Sequence, residues 1–247
     1  MSIDLSLDDD QRAIVAAVER FCADHCPAEA LKGSDGGFSL ARWRAFAELG
    51  FLALCTEEGG GGPVELVALM EALGRAAFPG PLIDHVLASQ LLQGEELAQL
   101  VSGEAIASLG SGDMWPFAPV ARFFFECEGD RVYRAYPDAE VQPVQTLGAE
   151  PWGMLTVRRG SLMERGPRAL CLSQLARAAY ATAAARALLV QTAEHVRTRE
   201  QFGRAIGTFQ AVAHPLADCS IALGSAAALA RIAAGRMGDD FEQVASA

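Results

Sequence analysis

Along the first hundred residues the apolar positions recur at helical spacing. Ser6 with Asp9 reads as a capped helix start. Ile14, Val18, Phe21 and Cys22 then share one face, and Pro27 closes the segment. Ser39 is placed to cap a second helix carrying Trp43, Phe46 and Ala47, with Gly50 just past its end. Residues 51–54 form a short apolar stretch. A glycine-rich string, Glu57-Glu58-Gly59-Gly60-Gly61-Gly62-Pro63, leads into a helix with Val67, Met70 and Leu73 on one face. Helices over 82–93 and 95–101 follow. Between residues 105 and 157 the texture changes to short β-rich runs at 105–109, 119–127, 131–136, 139–147 and 153–158. Turns such as Glu128-Gly129-Asp130 bound them, and Gly110-Ser111-Gly112-Asp113 reads as a loop. Two long Ala/Leu-rich segments, 169–199 and 208–237, are helices by length and propensity. A polar turn with Gly203 and Gly207 separates them, Thr208 is placed to cap the second, and Pro215 should kink it or mark a late start.

Composition narrows the class. The chain has 247 residues, of which 51% are hydrophobic, enough to bury a real core in one large or two small domains. The net charge of −11 argues against nucleic acid and anionic membranes as main partners, while leaving room for a phosphorylated ligand on a local basic site. Of the six cysteines, Cys22 and Cys26 with His25 are spaced like a partial metal site, but no second ligand pair follows. Free thiols in a reducing cytoplasm are expected. The N-terminus, Met1-Ser2-Ile3-Asp4, carries no basic region and long apolar core of a signal peptide. No apolar run spans a bilayer free of charge, Gly or Pro, so a cytoplasmic protein without membrane insertion is expected.

Candidate chemistry concentrates in residues 195–218. Arg197, Arg199 and Arg204 surround the turn where the second long helix exposes backbone donors, which suits a phosphate or pyrophosphate. Phe202, Phe209 and Gln210 offer rings and an amide to a flat heterocycle. The same residues also fit a solvated bundle corner with Phe202, Ile206 and Phe209 in the core. The glycine string at 59–62 lacks the G-x-G-x-x-G and G-K-[ST] patterns and follows too short an apolar stretch for a dinucleotide loop.

The run Arg199, Gln201, Phe202, Gly203, Ile206, Gly207, Phe209, Gln210, Val212, His214, Leu216, Ala217, Asp218 resembles the helix–turn–helix signature of flavin-dependent acyl-CoA dehydrogenases. The E-E-G-G-x-G string, the helix with Glu71, Leu73 and Gly74, Pro79-Gly80-Pro81, and the exit at Ser102-Gly103-Glu104-Ala105 resemble that family's N-terminal domain. The resemblance implies a mostly α fold with a small β domain. Its parts are an N-terminal helical domain (1–104), a shortened β middle domain (105–168) and a C-terminal helical hairpin (169–247), an incomplete four-helix bundle.

The resemblance further implies FAD as cofactor and an acyl-CoA thioester as substrate. Arg199 would pair with the pyrophosphate, and Gln201, Phe202, Ile206, Phe209 and Gln210 would line the flavin and ADP moiety, the FAD being shared with another subunit. The family's β-domain flavin segment has no convincing match; Gly110-Ser111-Gly112-Asp113 is the nearest string. Of the two placements of the family's catalytic glutamate, one lies in a last helical pair without a match here. The other, counted back from Arg199, falls on Ser173, which is no base, flanked by Cys171 and Gln174 where the family often carries Asp and Arg. Three functions follow: an acyl-CoA dehydrogenase subunit that takes its base from a partner in a homo- or hetero-oligomer; a non-catalytic paralogue that binds a full-length dehydrogenase; or a flavin monooxygenase or oxidase on the same fold.

Overall fold

The computed structural model describes residues 6–26, 38–146, 148 and 150–245, with side chains through residue 237. The chain is mostly α with a small β region. α1 spans Asp9–His25. Its cap is Asp8 rather than Ser6: the Asp8 carboxylate accepts from the Gln11 N–H at 2.8 Å, and the Gln11 side-chain oxygen accepts from the Asp8 N–H at 3.2 Å. Asp8 and Gln11 are three apart, as a reciprocal cap requires. The expected stop at Pro27 lies outside the described residues.

α2 is Leu40–Ala47, its first turn capped by Ser39, which accepts from the Arg42 N–H. Gly50 then turns the chain at φ 81°, and the short apolar stretch opens with a 3-10 turn, Phe51–Ala53. α3 spans Pro63–Arg75, with proline at the first helical position, and buries residues 66–74 continuously. α4 is Leu82–Leu91 and α5 is Gly94–Val101.

Seven strands follow: β1 Ala107–Gly110, β2 Met114–Pro116, β3 Phe123–Glu128, β4 Arg131–Pro137, β5 Gln142–Val144, β6 Trp152–Met154 and β7 Val157–Leu162. They form a four-stranded sheet in the order β1-β3-β4-β7, with β1 parallel to β3, and a three-stranded antiparallel sheet in the order β2-β6-β5. The alternation of β3 explains three consecutive phenylalanines. Phe123 and Phe125 pack with Leu87, Leu100 and Val132, whereas Phe124 faces the other way onto Trp115, Ala135 and Leu155.

Several strand expectations need correction. The run at 119–127 begins as a 3-10 turn, Ala118–Val120, and 153–158 is two strands broken by a bend in which the Leu155 N–H donates to Asp113 O. The 139–147 run shrinks to three residues. The string Gly110–Asp113 is not a free loop: Gly110 ends β1, Ser111 bridges to Met114, and β2 follows at once. Gly110 lies against the Trp115 ring, where an added Cβ would come within 2.4 Å of a ring carbon.

Two long helices close the chain, α6 Gly166–Thr198 and α7 Gln210–Ala245. α7 starts ahead of Pro215, so the proline does not mark a late start. The chain divides into two compact units. One comprises α3, the part of α1 up to Arg20, and the chain from Arg177 onward. The other comprises Phe21–Gly62 and Pro79–Ala176. In the first unit Glu71 of α3, buried at 7% exposure, receives two hydrogen bonds from Arg231 of α7 at 2.6 and 3.0 Å. The Tyr180 hydroxyl of α6 donates to Phe78 O at 3.0 Å in the same unit.

Candidate functional site

The bend between α6 and α7 is a small hairpin. The Arg199 N–H donates to His195 O at 2.8 Å and ends α6. β8 Glu200–Gln201 and β9 Arg204–Ala205 then pair antiparallel across two residues, Phe202 at φ 53° and Gly203 at φ 77°. Two successive left-handed residues are the turn that a two-residue hairpin demands, and glycine satisfies only the second of them without strain. The Ile206 N–H donates back to Arg199 O at 2.9 Å and closes the loop. Gly207 passes so near the end of α6 that an added Cβ would stand 3.0 Å from Val196 O.

Thr208 does not cap α7. Its hydroxyl donates to Ala205 O at 2.7 Å, as part of a 3-10 turn over Ile206–Thr208. Phe209 takes the cap position, its carbonyl accepting from the N–H groups of Val212 and Ala213 at 2.9 Å each.

Arg199, Gln201, Phe202 and Gln210 are exposed, and Ile206 and Phe209 are half-buried. The core reading of Phe202 is thereby excluded: its ring is 92% exposed. It meets Phe209 edge-on at 6.1 Å between ring centroids, and the Arg204 guanidinium lies 4.0 Å over the Phe209 ring. The structure thus brings Phe202, Phe209 and Arg204 into one cluster at the bend. The Arg204–Phe209 contact went unseen in the sequence, where only the shared turn hinted at it. Gln201 is turned inward on its own hairpin, its amide donating to Glu200 O at 2.8 Å. Among the described residues the Arg199 side chain has neither an ion-pair nor a hydrogen-bond partner. The first turn of α7 adds backbone N–H groups that the helix itself cannot satisfy. A free guanidinium, a helix start and an aromatic cluster fit the diphosphate and ring system of a dinucleotide cofactor.

The other candidates are closed. Ser173 is buried at 2% exposure and its hydroxyl donates to Leu170 O at 2.9 Å, so its proton is engaged within α6. Its neighbours Cys171 and Gln174 are exposed. The glycine string cannot cradle phosphate, because its amides are engaged internally: Gly59 and Gly60 donate to Thr56, and Gly61 donates to Leu54 O. Among the described residues no group of three or more His, Cys, Asp or Glu is arranged to hold a metal ion. One helical segment, Gln210–Met237, is long and apolar enough to cross a membrane by length and composition, contrary to expectation. The stretch between Asp218 and Arg231 carries no charge at all, which the scattered Gly and Pro had obscured.

Two titratable groups outside the bend have surroundings that the sequence did not disclose. His85 of α4 is fully buried, its Nε2–H donating to Leu52 O at 2.7 Å, its Nδ1 without a hydrogen-bond partner and Trp43 edge-on at 5.6 Å. Burial drives its pKa from 6.5 down to about 4, against the smaller opposing pull of the Leu52 carbonyl. Glu71 is the other, since its partner Arg231 stands 160 residues away.

Two family models match most of the chain. The acyl-CoA dehydrogenase N-terminal domain matches residues 8–100, and the acyl-CoA dehydrogenase C-terminal domain matches residues 168–247. Acyl-CoA dehydrogenase IpdE2 of Mycobacterium tuberculosis is 30% identical over 245 residues, covering 88% of this chain and 72% of that protein. Among solved structures, the ChsE4–ChsE5 complex from Mycobacterium tuberculosis is 26% identical with a TM-score of 0.79, over 96% of this chain and 80% of that one. A Tcur3481–Tcur3483 steroid ACAD variant is 25% identical with a TM-score of 0.75, over 94% and 78%. Sequence and fold converge, and the chain belongs to the acyl-CoA dehydrogenase family of FAD-dependent oxidoreductases.

Proposed function

We propose that the protein is one subunit of an acyl-CoA dehydrogenase that oxidises the α,β bond of an acyl-CoA thioester with FAD, and that an unlike partner subunit supplies the catalytic base. The observation that carries this reading is Phe202: a phenylalanine 92% exposed, held in the left-handed region at a hairpin tip, beside an Arg199 with no partner among the described residues of its own chain. Strain and exposure of this kind are offset by a ligand or a second chain.

In this reading Arg199 pairs with the FAD diphosphate. Phe202 and Phe209, the latter backed by Arg204, present flat faces to the cofactor, while Gln201, Ile206 and Gln210 complete the lining. Bound FAD supplies the two-electron acceptor. The residues of this chain bind and orient it and contribute no base, because Ser173 is sealed in α6 by its bond to Leu170 O. A carboxylate within hydrogen-bond reach of the α carbon is required for the reaction, and the partner provides it. Two similar solved proteins are named as pairs of unlike components, which supports a hetero-oligomer, and the steroid in one name favours a bulky polycyclic acyl group. The organisation into 1–104, 105–168 and 169–247 belongs to the same proposal. α7 serves as a protein-facing helix, in keeping with the charge of Arg231 held by Glu71.

The test is to purify the chain alone and with a candidate dehydrogenase partner subunit from the same organism, and to record flavin absorbance before and after acyl-CoA is added. A yellow complex that bleaches with acyl-CoA, and that loses most of its flavin in Arg199→Gln, is the expected result. A colourless complex would establish the non-catalytic alternative. A lone chain that is yellow and turns over acyl-CoA would refute the need for a partner base.

A further inference from the structure

The end of α1 carries two cysteines for which the proposed function has no use. Cys22 lies in the last turn, and Cys26 is one residue past His25, where the helix stops. Both are buried, at 5% and 9% exposure, and the Cys26 N–H donates to Cys22 O at 2.9 Å. The two thiols are therefore stacked on one side of the helix end. The Cys26 thiol is acidified by its hydrogen bond with the Cys22 thiol; burial opposes this, and the charge of Arg42 adds to it. Arg42 is held there by its own geometry, its Nε–H donating to His25 O at 2.9 Å. His25 is otherwise engaged: its ring stacks on Phe21 at 4.2 Å and its Nδ1 lies 3.0 Å from Phe21 O. It does not turn towards the thiols as a third ligand, and no metal-binding group is found among the described residues.

We infer that Cys22 and Cys26 form a redox site, closing to an intrachain disulfide when hydrogen peroxide reaches the end of α1. The Cys26 thiolate attacks one peroxide oxygen, the O–O bond breaks, and the departing oxygen leaves as water, so that Cys26 becomes a sulfenic acid. The Cys22 sulfur then attacks the Cys26 sulfur. The S–S bond forms, the S–O bond breaks, and the oxygen leaves as a second water. Two thiols lose two electrons and two hydrogens, and the hydrogen peroxide is reduced to two waters.

Within a helix this closure would fail. Residues four apart rise about 6 Å along the axis, within disulfide range for Cα atoms, but their Cβ atoms stand about 5–6 Å apart where a disulfide needs about 4 Å. Here the second partner is outside the helix. Closure requires the backbone of Cys26 to move inward and give up its N–H bond to Cys22 O. That movement also strains the neighbouring Arg42–His25 contact, the tie between α1 and α2.

Trypsin isolates the site, since the peptide of residues 21–32 lies between Arg20 and Lys32 and contains Cys22 and Cys26 but no other cysteine. The full chain is treated with hydrogen peroxide, alkylated after denaturation and digested. The expected peptide is lighter by two hydrogens and carries no alkyl group. In Cys22→Ser, dimedone should trap a sulfenic acid on Cys26. In Cys26→Ser, Cys22 should remain an alkylatable thiol at the same dose. Doubly alkylated peptide after peroxide, cross-linking of either residue to Cys171 or Cys219, or equal oxidation of Cys22 in Cys26→Ser would each overturn the inference. The wild-type peptide decides the matter even where a variant folds poorly.

Discussion

Lowering the pH should destabilise the unit around α4 through one residue, His85. Its ring is sealed between Trp43 and the turn at 51–53, with Nε2–H given to Leu52 O and Nδ1 lacking a hydrogen-bond partner. Protonating Nδ1 places a charge and an unmet donor in an apolar interior, which is why the pKa falls from 6.5 to about 4 on folding. A depressed folded pKa means that the neutral ring contributes its full stability above the unfolded value, and that this is lost as pH drops from 6.5 through about 4. At 1.36 kcal/mol per tenfold change the whole effect is about 3 kcal/mol, and about 2 kcal/mol of it is gone by about pH 5. Being fully buried, the ring gets no discount from solvent screening. The assay is urea unfolding of wild type and His85→Gln across that range. The substituted amide is expected to keep an N–H donor near Leu52 O and has no proton to gain. Other titrating groups, Glu126 beside Arg159 among them, are common to both proteins and cancel in the difference. The two stabilities should converge by about 2 kcal/mol between neutral pH and about pH 5. Parallel curves would show that His85 does not titrate as its surroundings require.

Three further outcomes follow from the geometry. Phe202→Gly should raise folding stability by about 0.5–1 kcal/mol in thermal melts, since it relieves a left-handed backbone and gives up a ring that is almost wholly in solvent; the same variant should bind flavin and partner less well, and a loss of stability would mean the ring is a packing residue. Glu71→Ala should cost about 2–3 kcal/mol by denaturant unfolding, somewhat less than a fully buried pair because the Arg231 side chain keeps 31% of its exposure; an unchanged midpoint would deny the pair any role in holding α7. Gly110→Ala should cost about 1–3 kcal/mol and shift the tryptophan emission, as the new methyl collides with the Trp115 ring.

The helices were readable because their signals are local. Ser39 caps α2 through a residue three positions on, apolar spacing locates α3, and length with Ala/Leu propensity locates the two long C-terminal helices. The identity of Ser173 was readable too, since serine has no carboxylate wherever it sits. The β region resisted, because strands of three residues such as β2 and β5, each holding a proline, carry almost no periodicity and take their register from neighbours far along the chain. Thr208 misled for a related reason: a good capping residue yields when a 3-10 turn claims its hydroxyl first. Phe202 ran against the expectation that large rings go inside. Its exposure comes from the hairpin geometry that Gly203 and the pairing of residues 200–205 impose. No neighbour in sequence could disclose Glu71 and Arg231, which meet only when the chain has come full circle.

That last pairing sets a timetable for biosynthesis. α3 leaves the ribosome early, with residues 66–74 destined for the interior and a carboxylate among them, yet the helix that shelters it is translated more than a hundred residues later. Throughout that interval the nascent chain displays a sticky, half-finished surface, a setting in which holdase chaperones bind and premature aggregation competes with folding. Any truncation that removes Arg231 would leave the cell with a polypeptide that cannot complete its first-made half.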